Sequence, residues 1–195
     1  RIMIKALPVI CSISIIGGLL SCSSPTVPRP EGYLRMELPD IDFKKSYGLC
    51  GPEFEIPVYS IVENVKSSKK DVCWYNIRFP TLNARLHCTD LVLENNLEVL
   101  IQDAQDLVFS HDHKASGINR IRVINEQTDG GARGVLYHLG GPVATPIQFF
   151  VTDSTEHFLR GSLYFDNRPN PDSTAPVLAR LLSDTEHFMR TVSWD

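Results

Sequence analysis

The hydrophobic period of this chain changes along its length, and the order of the changes limits the folds that it can adopt. Aromatic and β-branched residues predict strands at residues 54–62, 72–79 and 82–91. Apolar residues then recur every three or four positions, which is typical of an amphipathic helix, so strands come first and a helix follows. The apolar positions of this helix are Leu97, Leu100, Ile101, Ala104, Leu107 and Val108.

A second strand-rich region and a closing helix complete the chain. Turns rich in Gly, Pro and Asp separate four more predicted strands, at residues 119–126, 133–139, 146–152 and 158–165. Helical spacing of apolar residues returns between residues 177 and 192. A four-strand antiparallel meander is the simplest arrangement, and both helices can cover the same side of it. The sequence therefore predicts an α+β two-layer sandwich, a largely antiparallel sheet with two amphipathic helices on one face.

The first residues have the pattern of a lipoprotein signal peptide. Arg1 and Lys5 precede an apolar stretch, residues 6–20, that ends in Ser21-Cys22. Fifteen helical residues span about 22 Å, which is short of the roughly 30 Å hydrocarbon core of a bilayer. The pattern therefore predicts cleavage before Cys22 and acylation of its thiol, which anchors the mature chain to a membrane. The alternatives are a chance cysteine behind an ordinary secretory peptide and a buried helix.

The segment after Cys22 is rich in Ser and Pro and cannot form a helix or a central strand. We therefore expect a signal peptide at residues 1–21, an acylated tether at residues 22–32 and a single domain at residues 33–195. Ser23, rather than Asp, follows the cysteine and favours passage to the outer membrane.

The charge of the chain argues against nucleic acid as a partner. It has 19 basic and 23 acidic residues, a net charge of −4. Loss of residues 1–21 would remove two basic residues and no acidic ones, which leaves 17 against 23 and a net charge of −6. No basic excess is available to neutralise a phosphate backbone.

Two cysteines could form a disulfide. If Pro80 and Thr81 form a two-residue hairpin loop, Cys73 lies opposite Cys88 at a separation that permits a bond. An exported protein also meets an oxidising compartment. The alternative is two buried free thiols, and the sequence leaves both possibilities open.

No motif assigns catalysis, a cofactor or a metal. His111 and His113 flank Asp112, but basic side chains are favoured at a helix C-terminus without any ligand. The sequence contains no G-x-S-x-G, H-E-x-x-H or C-x-x-C pattern. Two other interpretations remain as alternatives. One is a periplasmic hydrolase that uses Asp153, His157 and Asp166, and the other is a ligand-binding module with a deep apolar pocket between helix and sheet.

Arginines alternate with apolar residues on two predicted strands, as expected where one face of a sheet meets solvent or a partner. They are Arg78 and Arg85 near the first hairpin and Arg120 and Arg122 after the first helix.

Three runs carry a family resemblance: PRPEGY at residues 28–33, CWYNIRFPTLNA at residues 73–84 and FFVTDSTEHFLRGSLYF at residues 149–165. They resemble the GldD gliding-motility lipoproteins of the Bacteroidota. The resemblance implies a non-enzymatic component of the cell envelope that is needed for gliding and for the associated type IX secretion machinery. Its partners would be the membrane, through the lipid anchor, and other envelope proteins of that machinery.

The resemblance supplies no catalytic residues or cofactors, and only Cys22 maps to a position of known chemistry. The later half also looks like the sandwich of the PsbP and Mog1 type, which implies a fold and no function.

Overall fold

Nine strands and two α-helices make up the described part of the chain in this computed structural model. It describes residues 37–48, 51–65, 72–110, 114–125, 131–166 and 171–194. The predicted signal peptide, Cys22 and the tether lie outside these residues, so the domain boundaries stay predictions. The elements in chain order are β1 Phe43–Tyr47, β2 Glu53–Pro57, β3 Ile61–Val65, β4 Val72–Phe79, β5 Ala84–Val92, α1 Leu97–Phe109, β6 Gly117–Ile124, β7 Arg133–Gly140, β8 Ile147–Thr152, β9 His157–Phe165 and α2 Pro171–Thr191.

Seven strands form one antiparallel sheet in the order β3-β4-β5-β9-β8-β7-β6, and β1 and β2 form a separate hairpin. Strands β6 to β9 are sequential neighbours, which confirms the predicted four-strand meander. Strand β9 then pairs with β5, so the meander and the earlier hairpin become one sheet. The predicted α+β class with a largely antiparallel sheet is confirmed.

The two helices pack on opposite faces of the sheet, so the prediction that both lie on one face is wrong. Phe149 of β8 contacts Phe188 of α2, with ring centroids 5.7 Å apart. The next residue, Phe150, points to the other face and belongs to the core cluster of Ala104 and Val108 of α1. We call these sides of the sheet the α2 face and the α1 face.

The physical reason lies in β8, where every residue from Ile147 to Thr152 is buried. A strand that is buried on both sides needs a cover on each side, and its sequence is then a continuous apolar run rather than an alternation.

The larger core lies on the α2 face. The side chains of Phe54 and Ile56 in β2 are each only 1% exposed, and the Phe54 and Phe188 ring centroids are 4.8 Å apart. Complete burial of side chains of this size contributes about 1.5 to 3 kcal/mol each. The β1–β2 hairpin therefore acts as a second cover beside α2, although it does not belong to the large sheet.

Polar contacts join two parts of the chain to the C-terminal region. The β1–β2 hairpin is bonded to the segment that follows α2, and the residues before β1 are bonded to α2 itself. Glu53 of β2 exchanges two backbone hydrogen bonds of 2.9 Å with Ser193. Arg180 of α2 donates to the carbonyl oxygens of Pro39 and Asp40, at 2.9 and 3.1 Å. The same guanidinium lies 3.0 Å from the buried carboxylate of Asp184.

Residues 54–62, predicted as one strand, form parts of two strands in different sheets. Strand β2 ends at Pro57, which cannot donate a ladder hydrogen bond. Ser60 then donates its backbone N–H to the Pro57 carbonyl over 2.9 Å, which closes a turn before β3. The apolar pattern continues across this turn, so periodicity alone did not show the break.

The possible disulfide between Cys73 and Cys88 does not form, because Cys88 is a free thiol. The alternative of two free thiols is wrong as well, because Cys73 is disulfide-bonded. The loop between β4 and β5 contains a 3-10 turn, Pro80–Leu82, followed by Asn83 in the left-handed conformation with φ of 48°. Phe79 therefore pairs with Ala84, and the register moves by two positions from the predicted one.

In this register Cys73 faces Asp90, whereas Cys88 faces Tyr75. Cys88 is a buried free thiol. Cys73 is disulfide-bonded. Cys50 lies outside the described residues.

Candidate functional site

The lipidation site and the histidine pair cannot be placed, because Cys22, His111 and His113 lie outside the described residues. Within the described ranges, no helix is long and apolar enough to cross a membrane. The same ranges contain no group of three or more His, Cys, Asp or Glu side chains that could hold a metal ion.

Asp153 stabilises the turn between β8 and β9. One of its carboxylate oxygens accepts the backbone N–H groups of Thr155, Glu156 and His157 at 2.9 to 3.0 Å. The other lies 2.8 Å from Nδ1 of His157. Partial burial raises the pKa of Asp153, but the hydrogen bonds from the backbone and ring of His157 and from the backbone of the turn outweigh it and lower this pKa to about 2. The carboxylate therefore remains ionised and holds the turn closed.

The structure does not bring the three residues of the hydrolase alternative together. Asp153 and His157 lie at the start of β9, whereas Asp166 follows its end. Nine residues of strand span roughly 30 Å at about 3.3 Å per residue. Asp166 instead lies 3.8 Å from Arg85. The imidazole of His157 stacks on Trp194, with ring centroids 5.2 Å apart and planes 4° from parallel.

A buried polar cluster, which no sequence motif marks, lies next to this stack. Asp90, near the end of β5, is 4% exposed, and its Oδ2 atom has no hydrogen-bond partner among the residues that the structure describes. Burial raises the pKa of this carboxyl to about 6, although the indole of Trp194 and the charge of His157 partly oppose the shift. Burial also raises the pKa of the Tyr75 hydroxyl and of the Cys88 thiol.

Strand alternation could have revealed Asp90. It occupies an even position in β5, on the same face as the buried residues Ala84, Leu86 and Cys88. A carboxyl in such a series is buried with the apolar residues that precede it.

A cavity of about 430 Å³ lies on the α1 face, between α1 and the sheet. Residues of α1 form one wall, and β5, β7, β8 and β9 form the floor and rim. The principal lining residues are His87, Leu107, Gln148, Phe150, Arg160, Ser162 and Tyr164. This size is within the range of small-molecule sites.

Basic side chains cluster beside this cavity. Arg78 and Arg85 are paired directly across β4 and β5, and Tyr164 is the β9 partner of Arg85. Like charges in this position repel one another. Glu63 lies 2.9 Å from Arg78 and offsets part of the repulsion. Because Tyr164 lines the cavity and is paired with Arg85, both arginines lie on the α1 face.

The other two arginines named for such a surface also lie on the α1 face. Arg122 is exposed on the edge strand β6. The guanidinium of Arg120 lies 5.0 Å from the ring centroid of Phe109 and 5.9 Å from that of Tyr137, so it packs on the end of α1.

A second cavity, of about 300 Å³, lies between α2 and β7. Apolar side chains line most of it, including Leu139, Val143, Phe165, Leu178 and Leu182. It is the kind of space that the ligand-binding alternative requires.

Comparison with known proteins identifies a family. The family described as "Gliding motility lipoprotein GldD" matches residues 23–194. Among proteins with curated descriptions, none matches significantly. A solved structure of cyanobacterial PsbP (CyanoP) from Synechocystis is similar at 12% identity and a TM-score of 0.41, and the alignment covers 77% of this chain and 95% of that one.

Proposed function

The chain belongs to the GldD family of gliding motility lipoproteins, and from this premise we propose that it is a lipid-anchored, non-enzymatic component of the gliding apparatus. It acts in the assembly or structure of that apparatus and of the associated type IX secretion machinery. Its partners are the membrane, through acylated Cys22, and other envelope proteins of the same machinery.

The observation that carries this proposal is the extent of the family match. It begins at residue 23, directly after Cys22, and runs to residue 194. The match thus includes the predicted tether and all described residues of the domain. The apolar segment before Cys22 and the Ser23 that follows it favour an outer-membrane anchor with the domain facing the periplasm.

The geometry also favours a structural role over hydrolysis. Both carboxylate oxygens of Asp153 accept hydrogen bonds or contacts within its own turn. The group that orients the imidazole of His157 is therefore part of the structure of the turn. Asp166 lies at the opposite end of β9. A general acid and base must reach the same reacting atoms, and these carboxylates cannot do so.

Deletion and complementation test the proposal. A strain that lacks the gene should lose colony spreading and secretion, and the unaltered gene should restore both. A Cys22→Ala protein should leave the membrane fraction and fail to restore spreading, whereas Ser24→Ala, two residues away, should behave as the unaltered protein. Normal spreading and secretion in the deletion strain would refute the proposed role.

The hydrolase alternative has its own test. Variants Asp153→Asn, Asp166→Asn and His157→Ala should restore spreading whenever the protein accumulates to normal levels. Loss of spreading in all three, with normal protein levels, would instead favour catalysis.

A further inference from the structure

We propose that the α1-face cavity binds an oxyanion, a phosphate or carboxylate group, carried by a ligand whose ring or short alkyl body packs against α1. This inference goes beyond the motility role, and it is tested by binding to the purified protein rather than by gliding.

Arg160 supplies the positive charge. It lies on β9, between Thr89 of β5 and Phe150 of β8, and its half-buried side chain lines the cavity. Within the described ranges, its guanidinium has no hydrogen bond or ion pair. A guanidinium presents several N–H donors in one plane and matches a phosphate or carboxylate with two parallel hydrogen bonds. An unpaired cation in a partly enclosed site therefore favours an anionic ligand.

Neutral polar groups converge on the same floor. Gln148 and Ser162 are paired across β8 and β9, and His87 is the β5 partner of Ser162. Gln148 is 5% exposed, and its side-chain amide donates to the hydroxyl of Thr145 over 3.0 Å, which fixes its orientation. These groups can donate further hydrogen bonds to an oxyanion held by Arg160. The sheet register thus places one cation and several donors around one small volume.

The acidic residues of α1 do not neutralise Arg160. Asp103 and Asp106 border the outer side of the site together with Arg160 and Leu107. Neither carboxylate lies within 4.0 Å of the guanidinium nitrogens, and Asp106 accepts a hydrogen bond of 2.7 Å from Gln102. Their negative charges oppose the binding of an anion through solvent. Removal of one of them should therefore strengthen binding, whereas removal of Arg160 should weaken it.

Exposed apolar surface at the mouth argues for a ligand with a nonpolar part. Leu107 is 45% exposed and Tyr164 is 42% exposed, and both line the cavity beside Val108 and Phe150. The ring of Tyr164 meets the imidazole of His87 edge to face, with centroids 5.3 Å apart, so its position is fixed. A free inorganic anion would leave this surface in water, whereas a phosphate ester or an aromatic carboxylate would cover it.

Calorimetric titration tests the site. The protein is purified as residues 22–195, with Cys22→Ala so that no detergent is needed, and the probes are inorganic phosphate, phenyl phosphate and benzoate. Phenyl phosphate should bind more tightly than inorganic phosphate. Arg160→Gln should weaken its binding about tenfold or more, and Asp106→Asn should strengthen it. Arg122→Gln is the matched control, because it removes an exposed arginine on the same face but outside the cavity, and it should change binding by less than about twofold.

A second variant separates loss of the site from loss of the fold. Ser162→Leu should fill the floor and abolish binding, and the thermal unfolding midpoint shows whether the domain remains folded. Vesicles of phosphatidylglycerol identify the source of the anion. If the vesicles compete with phenyl phosphate for the protein and the competition requires Arg160, the anion is a lipid headgroup. If they do not compete, the ligand is a soluble ester. The proposal is overturned if no probe binds at about 10 mM, or if Arg160→Gln and Arg122→Gln have equal effects.

Discussion

Asp90 should make the domain less stable as the pH rises through the weakly acidic range. Its carboxyl is buried, and its pKa is raised from 3.8 to about 6. The native state therefore holds this proton more tightly than the unfolded chain does. Its contribution to stability is fully present below pH 3.8 and is lost as the pH rises through about 6. At about 1.36 kcal/mol per pKa unit, the difference lowers the free energy of unfolding by about 3 kcal/mol at neutral pH.

The Asp90→Asn variant removes the charge and keeps the shape of the side chain. The free energy of unfolding should be measured by urea denaturation, with the disulfide of Cys73 intact, at several values between about pH 4 and pH 8. We expect the unaltered protein to lose stability across this range relative to the variant, so that the difference between the two curves grows by about 3 kcal/mol.

The slope of that difference is the informative quantity, because an amide at position 90 can gain or lose hydrogen bonds equally at every pH. Asp103→Asn, on the exposed side of α1, is the matched control and should leave the slope unchanged. Parallel curves for the unaltered protein and Asp90→Asn would refute the view that burial controls this carboxyl.

Three further results should follow from the described contacts. Asp153→Asn should destabilise the domain by about 1 to 2 kcal/mol at neutral pH, measured by urea denaturation. Because the pKa of Asp153 is lowered to about 2, the stability that its carboxylate contributes is present above pH 3.8 and disappears as the pH falls toward 2. The thiol of Cys88 should resist maleimide labelling in the native protein and react once urea unfolds it, as mass spectrometry can show; rapid labelling of the native protein would contradict its burial. Gly161→Ala would place a methyl carbon 2.3 Å from the ring of Phe149, so the thermal unfolding midpoint should fall by an amount equivalent to about 1 to 3 kcal/mol, whereas Gly117→Ala meets open space and should have little effect.

Local patterns predicted the elements well, because propensity and turn chemistry act over a few residues. The predicted strand at residues 72–79 matches β4, and the helix predicted from Leu97 starts there and ends one residue after Val108. The meander was predictable since short turns join strands that pair with their neighbours.

Features that depend on residues far apart in the chain could not be predicted from the sequence. Which face of the sheet a helix covers depends on the path of the loops that lead to it, so the placement of α1 opposite α2 was missed. The hairpin register depended on a 3-10 turn and the left-handed Asn83, and this change moved Cys73 away from Cys88. The α1-face cavity brings Arg160 together with residues of α1 and β5, which lie about fifty to seventy positions earlier in the chain, and no spacing rule connects them.

The contacts of Arg180 define how the domain would bear mechanical load. Any pull applied through the chain before residue 37 passes through Pro39 and Asp40, whose carbonyl oxygens are held by the guanidinium of Arg180. These bonds lie between the point of pulling and β1, and the large sheet lies further along the chain. A force of this kind is therefore resisted first by α2, so Arg180→Met should lower the force at which the first residues detach while the sheet keeps its own resistance.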